Sequence, residues 1–131
     1  MKRKSLNISL KMAIIMGIFL PLAETVRRSN QILDLRNFFS WFDDYILGFI
    51  LLVAVYLVRQ RINNAISYLI AAWGFVAGAL YLSFLAQFKY FSTATEDPGI
   101  FSTSLVAIAK GLILVYMLIG LYLAIDANSN Q

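Results

Sequence analysis

Four long apolar stretches divide the chain, and shorter polar segments separate them. A bilayer crossing takes about 20 mostly apolar residues. On that measure the pattern predicts spanning helices over residues 6–23, 42–58, 65–88 and 102–125. The first is interrupted by Lys11 and Pro21, and residues 126–131 form a polar tail. The predicted fold is all-α: an integral membrane four-helix antiparallel bundle, 1–131 as a single transmembrane domain.

The first stretch has a rival reading. KRK, then MAIIMGIFLPLA, then the small residue Ala23 has the form of a secretory signal peptide. Three residues before that cut stands Pro21, where a small residue is wanted, so the membrane-helix reading is preferred.

Composition points the same way. Sixty per cent of residues are hydrophobic and 14% are charged. A water-soluble chain of this size needs more polar surface than that. With four crossings both termini lie on one side. That side would hold Lys2, Arg3, Lys4, Lys11, Arg59 and Arg61; the other would hold Arg27, Arg28, Arg36 and Lys89. The six-to-four bias favours a cell (plasma or inner) membrane protein with both termini cytoplasmic. Trp41, Phe42 and Tyr45, Tyr56 and Tyr68, and Phe88, Tyr90 and Phe91 fall where aromatic rings would sit at the two interfaces. The basic residues are read as an orientation signal and not as a nucleic-acid surface.

The chain has no cysteine and no histidine. Thiol catalysis, disulfides, His-ligated haem and His- or Cys-based zinc sites are excluded for it. Catalysis would have to use carboxylates, lysine or tyrosine. No catalytic residue, metal site or cofactor is assigned.

Between helices in lipid, small residues let backbones approach. Span three carries Ser67, Ala71, Gly74 and Gly78; span four carries Ser104, Ala107 and Gly111. These stripes predict that spans three and four pack against each other. A homodimer through Gly74 and Gly78 is the alternative. Pro21 removes a backbone donor and frees the carbonyl of Gly17, which predicts a bend in the first helix.

The outer connection, residues 24–41, is long for a segment without structure. Ile32, Leu33, Leu35, Phe38, Phe39 and Phe42 recur as on one helical face, so it is expected to be partly helical, lying on the membrane or capping the bundle. Glu24 is spaced to pair with Arg27 and Arg28.

The run WFDDY places Asp43 and Asp44 directly before an apolar run. From Tyr45 to Val58 a helix covers only about 21 Å, against a hydrocarbon layer of about 30 Å. The second helix therefore starts at or before Trp41 and takes both carboxylates into its first turns, where the helix dipole favours them. Lys110 stands eight residues past Ser102, about 12 Å inside the fourth span. A lysine there costs at least about 2.5 kcal/mol if left bare. The antiparallel topology brings the end of span one and the starts of spans two and four to one side. Glu24, Arg27, Arg28, Asp43, Asp44 and Lys110 are therefore expected to form a polar pocket, with Lys110 within ion-pair reach of Glu24, Asp43 or Asp44.

Two functions follow from such a pocket. One is binding or transport of a small polar or amphipathic ligand. The other is a non-catalytic accessory or assembly subunit of a larger membrane complex, the ion pairs then fixing helix register. Asn7-Ile8-Ser9 is read as a chance glycosylation match, and Asp97-Pro98-Gly99 as a turn without assigned function.

Overall fold

Among the apolar stretches only Pro21 interrupts helical hydrogen bonding. The computed structural model describes residues 2–31, 33–93 and 95–129. Among these it has four α-helices: α1 (Lys2–Arg27), α2 (Phe38–Arg59), α3 (Ala65–Ser92) and α4 (Thr103–Asn128). Each is long and apolar enough to cross a membrane. α1 packs on α2 and α4, and α3 packs on α2 and α4.

The helices outrun the apolar stretches. α1 continues to Arg27, four residues past Ala23, and α4 reaches Asn128, through much of the segment expected to be a polar tail. α2 starts at Phe38, so Asp43 and Asp44 stand in its second turn. Polar flanks stay helical because the backbone still needs its hydrogen bonds where apolar side chains give out. The connection from α1 to α2 is short once these extensions are counted. It holds turns and a 3₁₀ segment, Leu35–Asn37, capped by Asp34, whose carboxylate accepts from the Arg36 backbone N–H at 3.0 Å. Leu33, Leu35 and Phe39 are almost fully exposed. Ile32, assigned to the same apolar face, lies outside the described residues.

The core is built on Trp73, which is 0% exposed. Its indole N–H donates to Ser9 Oγ at 3.0 Å, and that hydroxyl donates to the Gly120 carbonyl at 2.8 Å. One chain of hydrogen bonds thus joins α3, α1 and α4. Gly120 has no side chain because the ring occupies the space: a Cβ there would lie 2.5 Å from Trp73 Cζ2. Nearer the termini, Ser5 Oγ donates to Asp126 Oδ2 at 2.7 Å.

An equally close glycine contact lies between α1 and α2. A Cβ on Gly48 would lie 2.5 Å from the Gly17 carbonyl oxygen and 2.9 Å from Pro21 Cδ. This is the carbonyl that Pro21 leaves without its helical donor. The expected role of the span-three stripe is corrected here. α3 and α4 do pack together, and Ala107 is buried, with Gly111 beside Phe84. Ser67, Ala71, Gly74 and Gly78, however, are exposed, and nothing lies within 4 Å of a Cβ built on Gly74 or Gly78. Ser104 is also exposed. Small residues permit close approach, but the bulky residues on the rest of the helix decide which face turns inward. On α3 those are Leu69, Trp73, Val76 and Leu80, all buried.

Candidate functional site

The C-terminal ends of α1 and α3 meet the N-terminal ends of α2 and α4 around a cavity of about 630 Å³. Glu24, Arg27, Arg28, Asp43, Asp44 and Lys110 all line it. Much of the remaining wall is apolar, from Phe19 and Leu22 on α1 to Leu105 and Ile113 on α4.

Four of the charges at this end form a closed network. Glu24 is buried, forms an ion pair with Arg28 Nε at 2.5 Å and accepts a hydrogen bond from Arg27 Nη1 at 3.0 Å, the two helical spacings expected of it. Arg27 also reaches out of its helix. Its Nη2 and Nε donate to the two carboxylate oxygens of Asp97, at 2.5 and 3.2 Å. This bidentate fork matches guanidinium geometry to a carboxylate. Asp97 is buried, and accepts further from Gln87 Nε2 at 3.1 Å and the Gly99 backbone N–H at 2.9 Å. Burial pushes the Asp97 carboxyl up, but the hydrogen bonds from Arg27, Gly99 and Gln87 and the charge of Arg27 outweigh it and hold its pKa below the ordinary value.

Asp97 lies in the connection between α3 and α4, and this network pins the connection to the end of α1 and to Gln87 of α3. Gln31 donates to the Pro98 carbonyl at 2.5 Å, and the Ile100 N–H donates to the Arg27 carbonyl at 2.9 Å. Gly99 passes so close to α1 that a Cβ would lie 2.7 Å from the Arg27 carbonyl oxygen. Opposite, Tyr45 of α2 and Thr25 of α1 share a hydrogen bond, and Thr25 Oγ1 donates to the Pro21 carbonyl at 2.7 Å.

Lys110 departs from its expected partners. It forms no ion pair with Glu24, Asp43 or Asp44 among the described residues. Its ammonium donates to Gln87 Oε1 at 3.0 Å and the Ser83 carbonyl at 3.4 Å. Glu24 is already taken by two arginines, and Gln87, one helix away on α3, presents its amide oxygen because its nitrogen is committed to Asp97. Asp43 and Asp44 likewise have no cationic partner among the described residues; Asp43 Oδ1 accepts the Asp44 backbone N–H at 2.9 Å.

Two residues central to this arrangement carried no role in the sequence reading. Asp97 was a turn residue there, because its partner Arg27 is 70 positions away and no local pattern links them. Gln87 was legible in principle: it is an amide near the end of an otherwise apolar span, and such a group needs a partner. Comparisons of the chain with protein-family models, curated proteins and solved structures find no match.

Proposed function

We propose that this chain is a small polytopic membrane protein whose charged cavity binds or transports a small polar or amphipathic ligand. The observation that carries this reading is an asymmetry within one cavity. Glu24, Arg27, Arg28 and Asp97 satisfy one another. Asp43, Asp44 and Lys110 line the same space and belong to no described ion pair. A network serving helix register alone has no need of such groups, and leaving them unpaired is costly near lipid. A ligand with complementary charge offsets that cost. At about 630 Å³ the cavity falls in the range of small-molecule sites.

In this reading the four helices cross the cell membrane as an antiparallel bundle, with both termini cytoplasmic. The modest Lys and Arg bias supports that orientation. The cysteine-free chain makes it testable: Asn63→Cys is expected to be shielded from an impermeant maleimide added outside intact cells, and Thr95→Cys to be labelled. The reverse pattern contradicts the orientation.

The ligand is tested by mild detergent extraction and native mass spectrometry of the wild type, Lys110→Met and Asp43→Asn/Asp44→Asn, with thermal stability measured alongside. The expected result is a retained non-protein mass in the wild type that both variants lose without early unfolding. Variants that unfold early, with no mass ever retained, favour the second reading, an accessory subunit of a larger membrane complex. That reading is supported by the outward Gly74 and Gly78 and by the apolar groove between α2 and α3, lined by Phe49, Val53 and Phe75.

A further inference from the structure

The connection from α3 to α4 is tied to the end of α1 and the turn after it by Arg27–Asp97, Gln31–Pro98 and Ile100–Arg27. Between α1 and α4 the described hydrogen bonds are Ser5–Asp126, Ser9–Gly120 and Tyr116–Met12, all away from the cavity toward the termini. Nearer the cavity, Phe19, Leu22 and Val26 on α1 and Leu105 on α4 line it, yet are 43%, 59%, 54% and 52% exposed. Phe19, Leu22 and Val26 share one face of α1 at spacings of three and four, and with Leu105 they leave this flank of the cavity open as a mouth. That mouth is apolar and lies on the flank of two helices that are each long and apolar enough to cross a membrane.

Inside the mouth the ionisable groups in no described ion pair are two acidic side chains, Asp43 and Asp44, and one ammonium, Lys110. A matching occupant carries a cation and an anion at one end and apolar chain at the other. These acidic side chains outnumber the ammonium, which favours an occupant with an amine over a purely anionic one. We infer that the ligand is an amine-bearing phospholipid that enters sideways between α1 and α4, its ammonium against Asp43 and Asp44, its phosphate against Lys110, and its chains between Leu22 and Leu105. This inference rests on the cavity being a ligand site, and adds the ligand class and the route.

The test uses the delipidated full chain in detergent, titrated with short-chain phosphatidylethanolamine, phosphatidylglycerol and free phosphoethanolamine. Bound mass is read by native mass spectrometry. The expected result is one phosphatidylethanolamine per chain, held about tenfold more tightly than phosphatidylglycerol, as loss of one charge-assisted contact implies. Free phosphoethanolamine is expected to show far weaker binding, since the chains supply the apolar contact. Asp43→Asn/Asp44→Asn is expected to abolish the preference for the amine. Leu105→Trp and Leu22→Trp, both at exposed positions and so compatible with folding, are each expected to weaken phosphatidylethanolamine binding about tenfold by narrowing the mouth. Equal binding of the two lipids, or a preference that survives Asp43→Asn/Asp44→Asn, overturns the amine assignment. Free phosphoethanolamine binding as tightly as the lipid, with both tryptophan variants neutral, overturns the sideways route. In either case stoichiometric binding of a probe leaves the cavity standing as a ligand site. Binding of no probe overturns the inference whole; if the wild type also retains no mass on extraction, the ligand-site reading falls with it.

Discussion

Asp97 shows how much a single buried carboxylate can organise. It joins the end of α1, through Arg27, to the end of α3, through Gln87, and fixes the loop backbone at Gly99. Removing one partner from a buried, hydrogen-bonded ion pair leaves the other charge unpaired, at a cost of about 3 kcal/mol. Asp97→Asn is therefore expected to lower Tm in detergent by several degrees. The pH dependence has a definite sign. Because the folded-state pKa of Asp97 lies below its ordinary 3.8, its contribution is present above that value and is lost as pH falls below it. The Tm gap between wild type and Asp97→Asn should stay constant from neutral pH to about pH 4 and close only below it. A gap that closes already near pH 6 contradicts the network. Ser9 makes a second residue-scale case. Ser9→Ala leaves the buried Trp73 N–H without its acceptor and the Gly120 carbonyl without its side-chain donor. It is expected to lower stability by about 1 kcal/mol, the scale of side-chain hydrogen bonds between membrane helices, read as a fall in Tm.

At the scale of the elements, glycines separate into two kinds that sequence alone does not distinguish. Gly48 and Gly120 sit where another group occupies the position of a Cβ; Gly74 and Gly78 face open space. Gly48→Ala should destabilise the chain by about 1–3 kcal/mol, as overpacking does, since the obstacle includes the Gly17 backbone and the rigid Pro21 ring. Gly74→Ala and Gly78→Ala should leave Tm unchanged or raise it, because alanine is the better helix former. Thermal unfolding of the three variants in detergent is enough to check this; destabilisation by Gly74→Ala would show that its outward face is covered by a second chain. The four helices were legible because a bilayer crossing demands a long apolar run, and that demand is written continuously in the sequence. Their ends were less so, since polar residues such as Glu24 and Asp126 extend a helix without extending its apolar run. The packing faces were least legible. The α1–α2 contact depends on Gly17 meeting Gly48, one glycine from each helix, and no repeat announces it. The visible repeat on α3 faces outward because Trp73 and its apolar neighbours claim the inner face.

For the whole molecule, the topological step of the sequence reading puts its six charged residues around one space, since helices that alternate in direction bring their ends together in pairs. The partner choices within that space were not legible. Glu24 is taken by its helix neighbours, Lys110 bonds Gln87, and Asp43 and Asp44 line the cavity in no ion pair among the described residues. The proposed ligand site requires this space to be a polar, accessible cavity and not a sealed ion-pair core. The most direct test exploits the absence of cysteine. Ser83→Cys is a near-isosteric change on the cavity wall, and Gly78→Cys stands on the outward face of the same helix. With the protein in lipid bilayers, the labelling rate by 2-aminoethyl methanethiosulfonate should be measured for both. The account predicts that Ser83→Cys reacts readily and is slowed by Asp43→Asn/Asp44→Asn, which removes the attraction for the cationic reagent, while Gly78→Cys stays silent. A silent Ser83→Cys, or equal rates at both positions, would contradict it.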